Sequence, residues 1–104
     1  MQSTSQSSEK FKRYTMKEQV RITKEGTDVT IRFLQALMAL KEQKRIRGIK
    51  TFARKYDINA GNFNVVLHYP ESHNVKIEHV VYLLRDFGVS ANWLILGEGN
   101  MFNS

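Results

Sequence analysis

Apolar residues recur at spacings of three and four along most of this chain, and the recurrence predicts a series of short amphipathic helices. Phe33, Leu34, Leu37 and Met38 share one helical face, and Asp28, or Thr27 before it, can cap the helix that carries them, which predicts a first helix over about residues 29–43. The polar, basic stretch 44–48 ends that helix, with Gly48 free to take a positive φ. Two short groups follow: Ile49, Phe52, Ala53 and Tyr56, then Phe63, Val66 and Leu67, separated by Asp57, Ile58 and Asn59. Asn59 suits the N-cap of the second group, and Pro70 stops it by lacking an N–H and pushing Tyr69 toward extended geometry. Ile77, Val80, Val81, Leu84 and Phe87 form a further stripe that ends at Gly88. Ser90 caps a last short helix around Trp93 and Leu94, which Gly97 and Gly99 terminate.

The expected fold class is therefore all-α: a compact bundle of about five helices with short connections and no hairpin signal. Residues 28–104 form the folded domain in this reading, preceded by a polar, basic N-terminal arm over residues 1–27. Tyr14, Met16, Val20 and Ile22 fall at even spacing, which suits a short strand as well as a flexible arm. No apolar run approaches the ~18 residues of a membrane span, and the Ser/Gln-rich N-terminus lacks the apolar stretch of a secretory signal. The chain has no cysteine, which excludes disulfides and thiolate zinc sites and makes a reducing cytoplasm the expected compartment.

Charge sharpens this picture through its location. The chain carries a net +6, yet residues 41–55 alone hold seven basic side chains and one acidic, whereas residues 56–104 hold two basic and five acidic. Lys41, Lys44, Arg45, Arg47, Lys50, Arg54 and Lys55 make up the basic stretch, which attracts a polyanion or is simply a solvated surface.

The stretch leads into a pattern with the geometry of a helix-turn-helix. Such a pair needs a small residue where the second helix crosses the first, which Ala53 supplies, and a tight turn four residues on, where Asp57 is among the few non-glycine types that tolerate positive φ. Ile58 closes the turn inward, and Phe63 with Val66 anchors the second helix from below, leaving Ala60, Gly61, Asn64, Val65 and His68 outward. That outward face carries no Glu or Lys between Asn59 and Tyr69. Small residues allow close approach, asparagine amides suit bidentate contact with adenine in the major groove, and the Val65 methyls suit a thymine methyl. Gly61 costs about 1 kcal/mol of helix propensity relative to alanine, a cost that a backbone approaching phosphates or base edges would explain; the plainer alternative is a weak surface helix.

Residues 28–102 resemble the helix-turn-helix domain of phage repressor and Cro-like regulators, the lambda-repressor-like or Xre type, through FARKYDINAGNFNVVL and the more specific VSANWLILGEGNMF. The resemblance implies sequence-specific binding of duplex DNA by a transcriptional regulator, as a homodimer, with a recognition helix over about residues 60–68. It places Lys50, Ala60, Gly61, Asn64, Val65 and His68 toward DNA, with Asn59 and Asn62 as secondary positions. Lys41, Lys44, Arg45, Arg47 and Lys76 are the phosphate-contact candidates. Three departures stand out: Asp57 replaces the usual glycine of the turn, HYPESHNVK replaces a basic, glycine-containing loop, and nothing after Phe102 matches a peptidase or dimerisation domain, so self-cleavage is not expected.

Other chemistries find little support. His68, His73 and His79 lack i, i+4 ligand spacing, no glycine-rich loop opens a helix, and no nucleophile, base and orienting group converge, so no metal, cofactor, catalytic residue or small-molecule substrate is expected, and the chain is read as a non-enzyme. The N-terminal segment shows no strongly amphipathic helix with aromatic anchors, so no membrane partner is expected. The competing reading is a protein-interaction module, antitoxin-like or an adaptor, that buries the same small-residue face against a protein partner.

Overall fold

Thr23 starts the first helix in the computed structural model, which describes residues 22–103. Its extended backbone (φ −108°, ψ 162°) turns its Oγ1 onto the Gly26 N–H at 3.1 Å, and helix α1 runs over Lys24–Glu42. The start lies five residues before the expected one at residue 29. Hydrophobic periodicity could not reveal it, because the first turn is polar and is held by the Thr23 cap, an acidic Glu25 near the helix N-terminus and a Lys24–Asp28 ion pair at 2.8 Å. Residues 24–27, expected in the arm, are thus helical; the rest of that expectation, on residues 1–21, lies outside the described residues.

The buried face of α1 comprises Thr30, Phe33, Ala36, Leu37 and Leu40, while Leu34 is half-buried and Met38 is 49% exposed. The expected stripe of Phe33, Leu34, Leu37 and Met38 is corrected accordingly: Ala36 and Thr30, small enough to be passed over in a pattern of large apolar residues, occupy the inward positions. Thr30 is also a joint between elements, donating to the Gly26 carbonyl at 2.8 Å and accepting from the Val75 N–H at 3.0 Å. Gly26 permits that joint, since a Cβ there would collide with the Asn74 side-chain amide.

Helix α1 ends in a Schellman motif: Lys44 takes φ 61°, its N–H reaches the Lys41 carbonyl, and the Arg45 N–H reaches back to the Leu40 carbonyl at 2.9 Å. The positive φ expected at Gly48 therefore lies at Lys44, and Gly48 is extended (φ 179°) at the start of α2, Ile49–Lys55. The same motif closes α2. Asp57 takes φ 54°, its N–H bonds the Arg54 carbonyl, and the Ile58 N–H bonds the Ala53 carbonyl at 2.8 Å. Asn59 then caps α3, Ala60–His68, its Oδ1 accepting from the Asn62 N–H at 2.9 Å.

Helix α4 spans Ile77–Asp86 and ends before Gly88, which takes φ 69°. Its buried residues are His79, Val80 and Leu83, with Phe87 just beyond, whereas Ile77 and Val81, both expected on the buried stripe, are 69% and 42% exposed. The imidazole of His79 explains the rotation: it packs as an aromatic ring, edge-on to Phe63 at 5.6 Å. A π-helical turn, α5 (Asn92–Leu96), follows, with Ser90 Oγ accepting from the Trp93 N–H at 3.3 Å and Gly97 (φ 74°) ending it. Segments 88–90 and 101–103 then run antiparallel through a single bridge, Val89 to Phe102.

Helix α1 packs chiefly on α5, and α2 on α3. Arg32 secures the first pairing, its Nε and Nη2 donating to the Leu94 and Ile95 carbonyls at 2.8 and 3.0 Å. Three phenylalanines join the second pairing to α1: Phe33 meets Phe52 and Phe63 edge-on at 6.1 and 6.2 Å, and Phe52 and Phe63 stack at 6.0 Å. All three are buried, and Leu94 fills the far side of the same core while Trp93 packs partly buried against it. The result is an all-α fold of five helices among the described residues.

Candidate nucleic-acid interface

The orientation of α3 follows from one anchor. Phe63 is its buried residue, and the consequence is that Ala60, Gly61, Asn62, Asn64 and His68 are exposed and Val65 is half-buried. Ala53 of α2 is buried beneath α3, and Ile58 packs partly buried against the same core, so the turn cannot swing without opening that packing.

Between α2 and α3 runs an open groove of about 500 Å³. Ile49, Ala53, Ile58 and Leu67 contribute its apolar lining, and Lys50, Arg54, Ala60, Gly61 and Asn64 bring to it two cations, two small residues and an amide. No acidic residue lines it. Of the residues expected to face DNA, the structure thus brings together Lys50, Ala60, Gly61 and Asn64. Asn59, Asn62 and Val65 line a second groove on the other flank of α3, together with Lys76. His68 lines neither groove; its Nδ1–H donates to the Asn64 carbonyl at 2.9 Å, which leaves Nε2 as the nitrogen facing solvent.

Gly61 sits in the first turn of α3 with an unusual freedom. A Cβ built there would meet only the Asn59 Oδ1 at 3.3 Å, so packing within the domain gives no strong reason for glycine. Asn64 is exposed, and among the described residues its side chain makes no hydrogen bond, so its donor and acceptor both face outward.

The cations divide by what already holds them. Lys41, Lys44, Arg47, Lys50 and Arg54 are exposed and form no ion pair with a described residue. Arg45, expected as a phosphate contact, is engaged by the fold: its Nη2 donates to the Phe87 carbonyl at 3.0 Å, and its guanidinium lies 5.7 Å from the Phe87 and Phe102 ring centres. It ties the α1–α2 connection to the C-terminal segment, a role that basic composition cannot distinguish from phosphate binding. Lys76 precedes α4 and sits apart from the Lys50–Arg54 pair. Arg54 is the residue that sequence reasoning left off the site, although its position one turn after Lys50 on the same helix was a usable signal.

On the α4 side the electrostatics are self-contained. The Tyr56 hydroxyl donates to Asp86, its ring stacks on Tyr82 at 4.1 Å, and burial with that hydrogen bond pushes its pKa up to about 12. Arg85, paired with Asp86 at 2.8 Å, and the Tyr56 hydroxyl hold the Asp86 carboxyl well below the usual carboxylate range. Among the described residues no group of His, Asp and Glu is arranged to hold a metal, and no helix is long and apolar enough to cross a membrane. No protein-family model matches the chain, and neither the curated proteins nor the solved structures contain a significant match to it.

Proposed function

We propose that this chain is a helix-turn-helix protein that binds duplex DNA sequence-specifically and acts as a transcriptional regulator, with α3 in the major groove. One observation carries the reading: the groove between α2 and α3 sets the Lys50 and Arg54 side chains beside an unencumbered Ala60, Gly61 and Asn64, with no acid among them. Cations at the edge neutralise phosphates and fix the register, while the small residues let the α3 backbone approach base edges and the Asn64 amide reads them. Lys41 in the last turn of α1, with Lys44 and Arg47 on the α1–α2 connection, extends the phosphate-binding surface. A symmetric pair of domains would present two such helices to major-groove segments about 34 Å apart.

The apolar lining supplied by Ile49, Ile58 and Leu67 favours a second reading, in which the groove receives a protein partner. Salt separates the two. Five cations that neutralise five phosphates predict an affinity loss on the order of several hundred-fold between about 50 and 200 mM salt, because each releases a counterion. Fluorescence titration of random duplex at both salt concentrations measures that slope. The absence of binding at the lower concentration would overturn the DNA reading and leave the protein partner.

A further inference from the structure

The other flank of α3 borders a larger open groove, of about 630 Å³, whose opposite wall is α4. Asn59, Asn62 and Val65 line one side, His79 and Tyr82 the other, and His73 the rim. His79 is 9% exposed, and its ring is wedged between Phe63, edge-on at 5.6 Å, and Tyr82 at 6.0 Å. Neither of its nitrogens has a hydrogen-bond partner among the described residues, and neither is sealed from outside, so the polar edge of a nearly buried imidazole opens onto the groove.

We infer that the groove between α3 and α4 binds a small, uncharged heteroaromatic molecule through a hydrogen bond to the His79 imidazole. The chemistry of the lining selects that class. Burial lowers the pKa of His79, so at neutral pH its ring offers one donor and one acceptor and no charge. Lys76 at the edge is offset by Glu78 and Asp57, which leaves no cationic field to favour an anion. Phe63, Val65, Val66 and Tyr82 supply apolar and aromatic surface for a flat ring, and the volume falls within the ~300–1,000 Å³ usual for small-molecule sites. Asn59 Oδ1 is already committed to capping α3, so its amide N–H groups remain to donate. A molecule held there would touch the cap and first turn of the helix whose opposite side carries Gly61 and Asn64. Occupancy would therefore bias the placement of α3 against DNA; this coupling rests on the DNA-binding reading, whereas binding in the groove does not.

Titrating the full chain with adenine, and separately with benzoate as an anionic probe, while following histidine ring resonances by NMR tests the inference. A fragment of adenine's size is expected to saturate with a Kd of about 1 mM or tighter, moving the His79 signals and leaving His68, which lines neither groove, in place. His79→Phe keeps an aromatic ring in the core and should abolish saturation as read from the Asn59 and Asn62 amides. Should that variant fail to fold, Asn62→Ala, at an exposed position, should weaken binding at least roughly fivefold, about 1 kcal/mol. Absence of saturation, equal shifts at His68, tighter binding of benzoate, or no effect of either variant would each overturn the site. Adenine binding in a chain that does not bind duplex would uphold the site and refute the DNA reading alone.

Discussion

Replacing Gly61 with alanine separates a fold requirement from a recognition requirement. Alanine is favoured over glycine in a helix interior by about 1 kcal/mol, and part of that gain is available at the second helical position. Against it stands the Asn59 Oδ1, 3.3 Å from the new Cβ, which must yield a few tenths of an ångström without leaving the Asn62 N–H that it caps. A net stabilisation of about 0.5 kcal/mol is expected, which raises the Tm of a domain this size by roughly 2–4 °C. The same methyl group occupies the surface through which the backbone would approach base edges, so affinity for the preferred duplex should fall at least about tenfold, or 1.4 kcal/mol. Thermal melting by circular dichroism and anisotropy titration on a duplex selected from random DNA read both quantities on one variant. A raised Tm with unchanged affinity would refute close approach at Gly61, and a lowered Tm would show that the cap, rather than the open surface, sets the residue there.

Asn64→Ala should cost on the order of 1–3 kcal/mol on the selected duplex and little on random DNA, so equal losses in competition titrations would remove its base-reading role. Lys50→Ala and Arg54→Ala should weaken binding to all sequences alike and each reduce the slope of log K against log salt by about one; an unchanged slope would exclude the phosphate contact. Asp57→Gly relieves a left-handed residue and should stabilise the domain by up to about 1 kcal/mol in chemical denaturation, unless the turn owes its conformation to the Asp57 side chain. Burial depresses the pKa of His79, so the unfolded chain binds its proton first. Stability should hold above the ordinary histidine value of 6.5 and decline as pH falls below it, a decline that His79→Phe should reduce in melts taken between about pH 7 and 5.

The parts of the fold that were legible in the sequence are those decided within a few residues. Asp57 in the turn, Asn59 and Ser90 as caps, Pro70 beyond α3 and Gly88 beyond α4 each act through local backbone chemistry, and each sits where its type leads one to expect. Features set by distant partners were not legible. The start of α1 depends on a threonine cap in a polar stretch, the inward face of α4 depends on a histidine packing as an aromatic ring, and Arg45 is claimed by a carbonyl 42 positions away. The set expected to face DNA shows the same division. Spacing on one helix placed Ala60, Gly61 and Asn64 on an exposed face and could have added Arg54 one turn after Lys50, but only the packing around α3 transfers Asn62 and Val65 to the other groove.

The tie between Arg32 and the carbonyls of Leu94 and Ile95 also has a consequence in time. Synthesis delivers α1, α2 and α3 before the residues that complete the core, because Leu94 emerges 26 residues after His68. At a translation rate of about 5–20 residues per second, the nascent chain would hold α3 for roughly 1–5 s over a core still open on the α5 side. Competence to bind would then arrive with the α5 turn rather than with α3 itself.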